Sequence, residues 1–400
     1  MRIVICPQAF KGGLRGMEAA RAIATGLRRV FPSAEFVLLP VADGGDGTLE
    51  ALVPAVLFPT TLPSPLAGEG QDGGLHATSV TGPLGEPVQA PWGVMAGGST
   101  AVIELARASG LALLPPERRD PLRATTFGTG QLILTALDAG YRRIIVGLGG
   151  SATNDGGEGI ARALGARFLD AAGLDLPPGG AALARLARID LSRLDPRVKE
   201  IRILAATDVA NPLCGPEGAS ETYGPQKGAT PDMVRALDAA LRRFGEVIEE
   251  ELGVDVLTRP RMGAAGGAGA GLFALLGAEI GSGADIVCDA LGVDAALEGA
   301  ALAVVGEGRL DWQTAYDKAP IAVARRARAK GVPVIAVAGS LGPGYEALLG
   351  QGIALAEAAT PAGMPLAEAM ARAAELVADA AERAGRQAAT LFSLTVAPLS

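Results

Sequence analysis

Short apolar runs rich in β-branched residues recur along this chain, and each ends in a glycine-rich polar loop that leads into a helical pattern. The first run, Met1–Cys6, is followed by the loop PQAFKGG and then by Met17–Phe31, whose apolar side chains recur on one helical face. The run Glu35–Ala42 comes next and ends in ADGGDGT. Glycine is abundant, at 56 of 400 residues, and aromatic residues make up only 4%. This rhythm predicts an α/β fold with tight strand-to-helix turns.

The same rhythm returns near the C-terminus. Strands are predicted at Ala301–Val305, before GEGRLD, at Val332–Ala338, before GSLGPG, and at Ile353–Ala359. Helices are predicted at Ala319–Lys330 and Pro365–Gly385. Because the two ends together supply enough strands for one sheet, we expect them to form a single open parallel sheet with right-handed crossovers.

The middle of the chain, roughly residues 80 to 290, is then expected to be a second α/β domain inserted into that sheet. It contains a predicted strand at Arg202–Ala206 and a predicted helix at Pro231–Leu252. Thr230 is the expected N-cap of this helix, and Gly253 follows its end.

Charge and hydropathy exclude several classes of partner. The net charge is −8 and the basic residues are scattered, so we expect no nucleic-acid partner and no anionic membrane surface. No run approaches the about 18 apolar residues of a membrane span. The N-terminal apolar run is too short for the core of a signal peptide, and we expect a cytoplasmic protein.

Histidine and cysteine are too scarce for several kinds of catalytic site. His76 is the only histidine, and it lies in a segment, residues 59 to 78, that is expected to be an irregular surface insertion. Cys6, Cys214 and Cys288 are too widely spaced for a CxxC metal site or a disulfide framework. Nucleophilic catalysis by a Ser-His-Asp or Cys-His system is therefore not expected, and acid, base and metal roles fall to Asp, Glu and Lys.

The polar loops supply the candidate ligand-binding groups, because ligands bind beyond the carboxyl ends of the strands in open α/β sheets. Their glycines let the backbone approach a ligand and expose N–H donors, although an ordinary turn is an alternative for any one loop. The glycines of GAAGGAGAG fit either a phosphate cradle or a closely packed helix start. The candidates, in chain order, are Lys11, Asp43, Gly44, Gly45, Gly149, Gly150, Ser151, Asn154, Asp155, Asp208, Asn211, Gln226, Lys227, Gly266, Gly267, Glu307, Arg309 and Asp311.

The loop VGLGGSATND also fits a dinucleotide-binding fingerprint. Gly147, Gly149 and Ala152 match G-x-G-x-x-G/A, and Asp170 follows at a suitable distance. Four polar residues and two more glycines, however, separate this loop from the next apolar helix face. That feature favours close contact with a polar ligand over hydride transfer.

Eight motifs together resemble the bacterial glycerate kinase family over residues 1 to about 380. They are FKGGL, ADGGDGT, FGTGQLI, GLGGSATNDGG, TDVANPLCG, GPQKGA, GAAGGAGAG and GEGRLDWQT, in that order. The resemblance implies a flavodoxin-like domain, residues 1–80 plus 291–400, and an inserted α/β domain, residues 81–290. It also implies ATP-dependent phosphorylation of D-glycerate with Mg²⁺. The resemblance favours the C2 hydroxyl as the acceptor, which gives 2-phosphoglycerate. Among the departures, Asp317-Lys318 replaces Gly-Lys, which leaves the role of Lys318 less secure.

Phosphoryl transfer needs charge neutralisation and positioning, and the candidates fit those roles. Lys11, Lys227 and Arg309 are the cations available for glycerate and ATP, and Asp208 and Asp311 are candidate magnesium ligands. Asp43 and Asp155 are candidate acceptors of the hydroxyl proton. We therefore predict catalytic roles for Asp43, Asp155, Lys227 and Arg309, metal binding by Asp208 and Asp311, and substrate or nucleotide binding by the remaining candidates.

Alternatives stay open at the level of the sequence. They are phosphorylation at C3 or of another small hydroxy acid, an NAD-dependent oxidoreductase, and a non-catalytic sensor of sugar acids. Intact charged motifs argue against the sensor. A homodimer also stays open, since composition does not fix the oligomeric state.

Overall fold

Two β-sheets form the framework of the protein. A computed structural model describes residues 1–53, 73–315 and 318–394. The strands are β1 (Arg2–Pro7), β2 (Glu35–Leu38), β3 (Gly74–Thr81), β4 (Pro87–Val94), β5 (Thr100–Glu104), β6 (Arg143–Gly147), β7 (Arg167–Leu169), β8 (Arg188–Asp190), β9 (Arg202–Thr207), β10 (Glu279–Ser282), β11 (Leu302–Leu310), β12 (Val334–Leu341) and β13 (Leu355–Ala358).

The first sheet is built from both ends of the chain, as the sequence predicts. Its order is β13-β12-β11-β1-β2, and every neighbouring pair is parallel. Counted along this sheet alone, the order is 2-1-3-4-5, which is the flavodoxin-like arrangement. The two-domain α/β fold class is confirmed.

The second sheet belongs to the middle of the chain and is mixed. Its order is β10-β9-β6-β5-β4-β3. The strands from β10 to β5 pair in parallel, and β4 pairs antiparallel with both β5 and β3. A separate antiparallel pair, β7 and β8, lies outside both sheets.

The α-helices cover the sheets and follow the predicted periodicity closely. The long helix α7 has Thr230 as its N-cap, whose side chain accepts a hydrogen bond from Met233 N–H, and it ends at Gly253 in the left-handed conformation. The helices are α1 (Gly16–Arg28), α2 (Thr48–Leu52), α3 (Leu105–Ser109), α4 (Phe127–Asp138), α5 (Glu158–Ala163), α6 (Ala219–Tyr223), α7 (Pro231–Leu252), α8 (Ala264–Leu276), α9 (Gly283–Leu291), α10 (Val293–Leu297), α11 (Ala319–Ala329), α12 (Glu346–Leu349), α13 (Leu366–Ala371) and α14 (Ala373–Leu391).

Apolar clusters account for the arrangement of these layers. One cluster packs α1 and α14 on one face of the first sheet, and another fills the inserted domain around α4, α7 and α8. The third joins the two domains, because side chains of both sheets, such as Val305 and Ile145, share it with α2, α9 and α11. The sheets are thus held together by a common core.

Three sequence predictions need correction. The motif GEGRL continues β11, in which Glu307 lies opposite Ala338 and Arg309 opposite Ser340, so it is not a loop after a strand. The predicted helix Pro365–Gly385 is two helices, α13 and α14, separated at Arg372.

The third correction concerns the insertion and the domain boundary. Residues 54–72 lie outside the described residues, but 74–81 form β3, which pairs with β4 in the second sheet. His76 is therefore a strand residue, stacked on Trp92 with 4.7 Å between ring centroids. The inserted sheet thus starts before the predicted boundary at residue 80.

The two sheets approach each other most closely where backbone meets backbone without intervening side chains. Gly149 N–H in the second domain donates to Gly44 C=O in the first, at 3.0 Å. A Cβ atom at Gly44 would lie 2.4 Å from the carbonyl oxygen of Ala206, and Gly44 has a φ of +91°. A Cβ atom at Gly283 would lie 1.9 Å from the carbonyl oxygen of Asp43. Glycine at these positions is what lets the loop after β2 pass between β9 and α9.

We expect Gly283→Ala to destabilise the fold by about 1–3 kcal/mol, because the added methyl group cannot fit without moving backbone. Urea denaturation measures this change in the free energy of unfolding. The control is Gly281→Ala, where the nearest atoms belong to the Ile286 side chain at 3.3 Å or more and can give way. Equal stability of both variants and the unaltered chain would contradict the close contact.

Candidate active site

The carboxyl ends of both sheets open into one large cleft. In the first sheet the strand order reverses between the parallel neighbours β1 and β11, and ligands bind at this switch point in flavodoxin-like folds. The cleft has a volume of about 2480 Å³, more than the about 300–1,000 Å³ of a typical site for one small molecule. It therefore has room for two substrates. Charged and polar residues that line it include Lys11, Asp43, Ser151, Asp208, Lys227 and Lys318.

A pair of carboxylates from the two domains lies in this cleft. Asp43 comes from the loop after β2, and Gln8 Nε2 donates to its Oδ2 at 2.6 Å. Asp208 follows β9, and its pKa is raised by burial and by the negative charge of Asp43, against the opposing effect of Lys318 and Lys11. A cation near Asp208 would favour the charged form of this carboxylate.

Glu307 lies behind this pair in β11. Thr314 Oγ1 donates to its carboxylate. Burial raises the pKa of Glu307 to about 6, and the charges of Asp43 and Asp311 add to the shift, while Thr314 and Lys318 oppose it. Glu307, predicted as a binding residue, is therefore not on the cleft wall. It is close enough to Asp43, which is on that wall, for the charge of Asp43 to raise its pKa.

Arg309 and Asp311 pair with each other away from the cleft wall. Arg309 Nε lies 3.3 Å from Asp311 Oδ2, and the arginine side chain is 60% exposed. Asp311 Oδ1 also accepts a hydrogen bond from Gln313 N–H at 2.9 Å. Asp311 is thus held in an ion pair with Arg309, whereas Asp208, the other predicted metal ligand, lines the cleft.

The loop after β6 also lines the cleft. Gly149, Gly150 and Ser151 line it. Lys227 is buried, and its Nζ donates to Ser151 Oγ at 2.9 Å and to Thr153 C=O at 2.6 Å. Burial lowers the pKa of Lys227 to about 7, with a partial opposing effect from Asp155. Because Ser151 Oγ accepts from Lys227, the Ser151 hydroxyl proton is available for a ligand in the cleft.

Asp155 and Asn154 lie beneath this wall and not on it. Asp155 Oδ2 accepts from Thr126 N–H and Oγ1–H at 2.7 and 2.9 Å, and its Oδ1 accepts from Gly157 N–H. Burial raises the pKa of Asp155 although these hydrogen bonds favour its charged form. Asn154 Nδ2 donates to Ser220 Oγ at 2.9 Å. The position of Asp155 supports a structural role at the start of α4 and not the predicted role as proton acceptor.

The glycine-rich segment 263–271 is used for close packing. Gly266 and Gly267 are buried, and Cβ atoms there would lie 2.0 Å from Thr153 C=O and 2.9 Å from Gly156 Cα. Only Ala265 of this segment reaches the cleft wall. The helix-start alternative, rather than the phosphate cradle, agrees with this packing.

The segment around α6 contributes a further wall of the cleft. Tyr223 and Gln226 line it, while Asn211 lies behind and accepts a hydrogen bond from Tyr223 Oη–H at 2.8 Å. Sequence reasoning missed Gln8 and Tyr223. Gln8 directly follows the first strand, which is a signal that could have identified it, whereas Tyr223 has no such signal.

The described residues fit only some kinds of metal site. Within residues 1–53, 73–315 and 318–394, no group of three or more His, Cys, Asp and Glu could hold a metal ion. A metal in this cleft would thus take at most two carboxylates from the described residues and its other ligands from substrate and water. Among the described helices, none is both long and apolar enough to span a membrane.

Comparisons with known proteins agree with this arrangement. Residues 3–389 match the model of the glycerate kinase family. The chain is 50% identical to glycerate 2-kinase of Escherichia coli K12 over 341 residues, 85% of this chain and 86% of that one. It is 48% identical to glycerate kinase of Halalkalibacterium halodurans, with 90% of both chains covered. A crystal structure from Salmonella typhimurium LT2, provisionally assigned as glycerate kinase 2, superposes with a TM-score of 0.85 at 45% identity, covering 98% of this chain and 100% of that one.

The buried side chain of Lys227 should make the free energy of unfolding depend on pH. In the unfolded chain Lys227 keeps its proton up to the ordinary lysine pKa of 10.5, whereas in the folded chain its pKa is about 7. Between these values the unfolded state binds more protons, so stability rises with pH. We expect the free energy of unfolding, relative to Lys227→Met, to rise by up to about 1.4 kcal/mol per pH unit.

Urea denaturation at about pH 7, 8 and 9 measures this difference. The control is Lys199→Met, which alters an exposed lysine and should leave the pH dependence unchanged. A difference between the unaltered chain and Lys227→Met that stays constant with pH would mean that the buried amine keeps its proton.

Proposed function

The chain belongs to the glycerate kinase family and is an enzyme, and on that premise we propose that it transfers the γ-phosphoryl group of ATP to the C2 hydroxyl of D-glycerate. The observation that carries the proposal is one cleft lined by the carboxylates Asp43 and Asp208 and by the buried side chain of Lys227. Phosphoryl transfer needs this combination, because catalysis consists mainly of positioning and charge neutralisation.

The carboxylate pair fits Mg²⁺. Magnesium is usually held by one or two carboxylates together with substrate phosphates and water. Asp208, whose charged form is disfavoured by burial and by Asp43, would be stabilised by a divalent cation, with Asp43 as its neighbour. When bound, Mg²⁺ supplies charge neutralisation of the phosphates. Asp311, in its ion pair with Arg309, is the less suitable of the two ligands predicted from the sequence.

Three lysines supply positive charge to the anionic substrates. Lys11 and Lys318 line the first-domain side of the cleft, and both influence the ionisation of Asp208. Lys227, with Ser151, lies on the second-domain side. We assign Lys11 and Lys318 to the phosphates and the Lys227–Ser151 pair to the carboxylate of D-glycerate, because this division gives each substrate positive charge from a different domain. Closure of the cleft would then exclude water from the phosphoryl group.

Asp43 is the best-placed group to accept the substrate proton. The Gln8 amide holds one of its oxygens at 2.6 Å, so the carboxylate has a fixed orientation in the cleft. In the transfer, a bond forms between the glycerate hydroxyl oxygen and the γ-phosphorus, the bond from that phosphorus to the β-phosphate oxygen breaks, and the hydroxyl proton passes to Asp43. Arg309, outside the cleft wall, has no contact in this scheme.

Several finer assignments remain proposals. Transfer to C3, or to another small hydroxy acid, is the same-class alternative. Asp170 is the acidic residue that a dinucleotide-binding site would need. It accepts hydrogen bonds from Ala172 and Leu174 N–H within its own turn, which argues against the oxidoreductase alternative. The homodimer and the cytoplasmic location expected from the sequence stay predictions.

The regiochemistry is tested by supplying the product to enolase without phosphoglycerate mutase. With D-glycerate, ATP and Mg²⁺, we expect phosphoenolpyruvate to form at once, because only the 2-phosphate is a substrate for enolase. A control reaction contains the mutase as well and should show no increase in rate. ADP release that yields phosphoenolpyruvate only when the mutase is present would establish transfer to C3, and no ADP release would overturn the proposed activity.

A further inference from the structure

Tyr223 lies at the cleft, near Asp208. It is the last residue of α6 and lines the cleft, in which it is partly buried. Burial and the negative charge of Asp208 both raise the pKa of Tyr223. The hydroxyl therefore keeps its proton at neutral pH, and its hydrogen-bonding capacity is one donated proton together with its oxygen lone pairs.

The donated proton is already committed to a partner outside the cleft. Tyr223 Oη–H donates to Asn211 Oδ1 at 2.8 Å. The orientation of the Asn211 amide is fixed in turn, because its Nδ2 donates to Glu217 C=O at 2.7 Å and to Thr222 Oγ1 at 3.3 Å. A carbonyl oxygen can only accept, so exchanging the amide oxygen and nitrogen would leave Glu217 C=O facing another acceptor. The Tyr223 oxygen is thus left with lone pairs, as an acceptor, for anything in the cleft.

An acceptor at this position selects a particular kind of ligand group. Phosphates of ATP and the carboxylate of glycerate carry mainly acceptor oxygens at neutral pH, so they gain no hydrogen bond from Tyr223. A hydroxyl group of the ligand can form this hydrogen bond, because it has a proton to donate. D-glycerate has two hydroxyls, and in the transfer one of them gives its proton to Asp43, which leaves the other without an assigned partner.

We propose that Tyr223 accepts a hydrogen bond from the glycerate hydroxyl that is not phosphorylated, and thereby makes the enzyme discriminate against 2-hydroxy acids that lack it. The inference rests on the proposed C2 transfer. Its physical basis is that a site built to hydrogen-bond a substrate hydroxyl rejects the analogue that lacks this group much more strongly than an apolar pocket can.

The test compares D-glycerate with D-lactate, which has the same configuration and a methyl group in place of the CH₂OH group. We expect Tyr223→Phe to lower kcat/KM for D-glycerate by about 5- to 100-fold, the range for a buried polar group that loses its partner. For D-lactate we expect little change, so the selectivity ratio falls by the same factor. The control is Tyr141→Phe, the same change at a tyrosine that packs against Trp92 and lies outside the cleft wall.

Two outcomes would overturn the inference. An equal loss with both substrates would mean that Tyr223 contacts something common to both, such as a water molecule on the metal. An unchanged selectivity at unchanged activity would mean that the phenol does not touch the substrate.

A measurement on the unaltered enzyme keeps the test decisive if Tyr223→Phe does not fold. An analogue of D-glycerate with fluorine in place of the C3 hydroxyl cannot donate a hydrogen bond, and we expect it to be used no better than D-lactate. Use of this analogue at the rate of D-glycerate would contradict an acceptor at this position. Failure of the proposed function is recognised separately, because transfer to C3 gives 3-phosphoglycerate from D-glycerate and no phosphorylated product from D-lactate.

Discussion

The contact on which this structure depends is the backbone approach between the loop after β2 and the loop after β6. Gly149 N–H donates to Gly44 C=O at 3.0 Å, and no side chain could stand between the two segments. The same approach places Asp43, one residue before Gly44, beside Asp208 at the end of a strand from the other sheet. The two sheets are thereby joined at their carboxyl ends, where α/β proteins bind ligands.

The electrostatics of the cleft follow from this junction. Burial raises the pKa of Asp208 and lowers that of Lys227, so both groups are held where their charged forms lack adequate solvation. A divalent cation near the first and an anion near the second would remove these costs, and ligand binding is therefore coupled to the charge of the site. The net charge of −8 over the chain means that attraction of anionic substrates depends on a few local lysines.

Much of the fold could be predicted because strand periodicity and glycine-rich loops are local signals, and the sheet built from both chain ends followed from them. Side-chain direction is not local. The extension of β11 through Arg309 depends on pairing with β12, which a single segment does not reveal. The motif predicts Asp155 as an acceptor of the hydroxyl proton, but in the fold its carboxylate accepts a hydrogen bond from Thr126 N–H. Tyr223 lies on α6, whose Ser220 accepts a hydrogen bond from Asn154 in the loop after β6. Such a tertiary contact leaves no signal in the local sequence.

We infer that carboxylates from the two domains serve one site, and a double-mutant cycle between Asp43→Asn and Asp208→Asn tests this inference. The measurement is kcat/KM for D-glycerate at saturating ATP and Mg²⁺ in the unaltered enzyme, both single variants and the double variant. If both groups serve one site, the double variant is less impaired than the product of the single losses, with a coupling energy of about 1 kcal/mol or more. Losses that add to within about 0.5 kcal/mol would mean that the two carboxylates act independently, and would contradict a shared site at the junction of the two sheets.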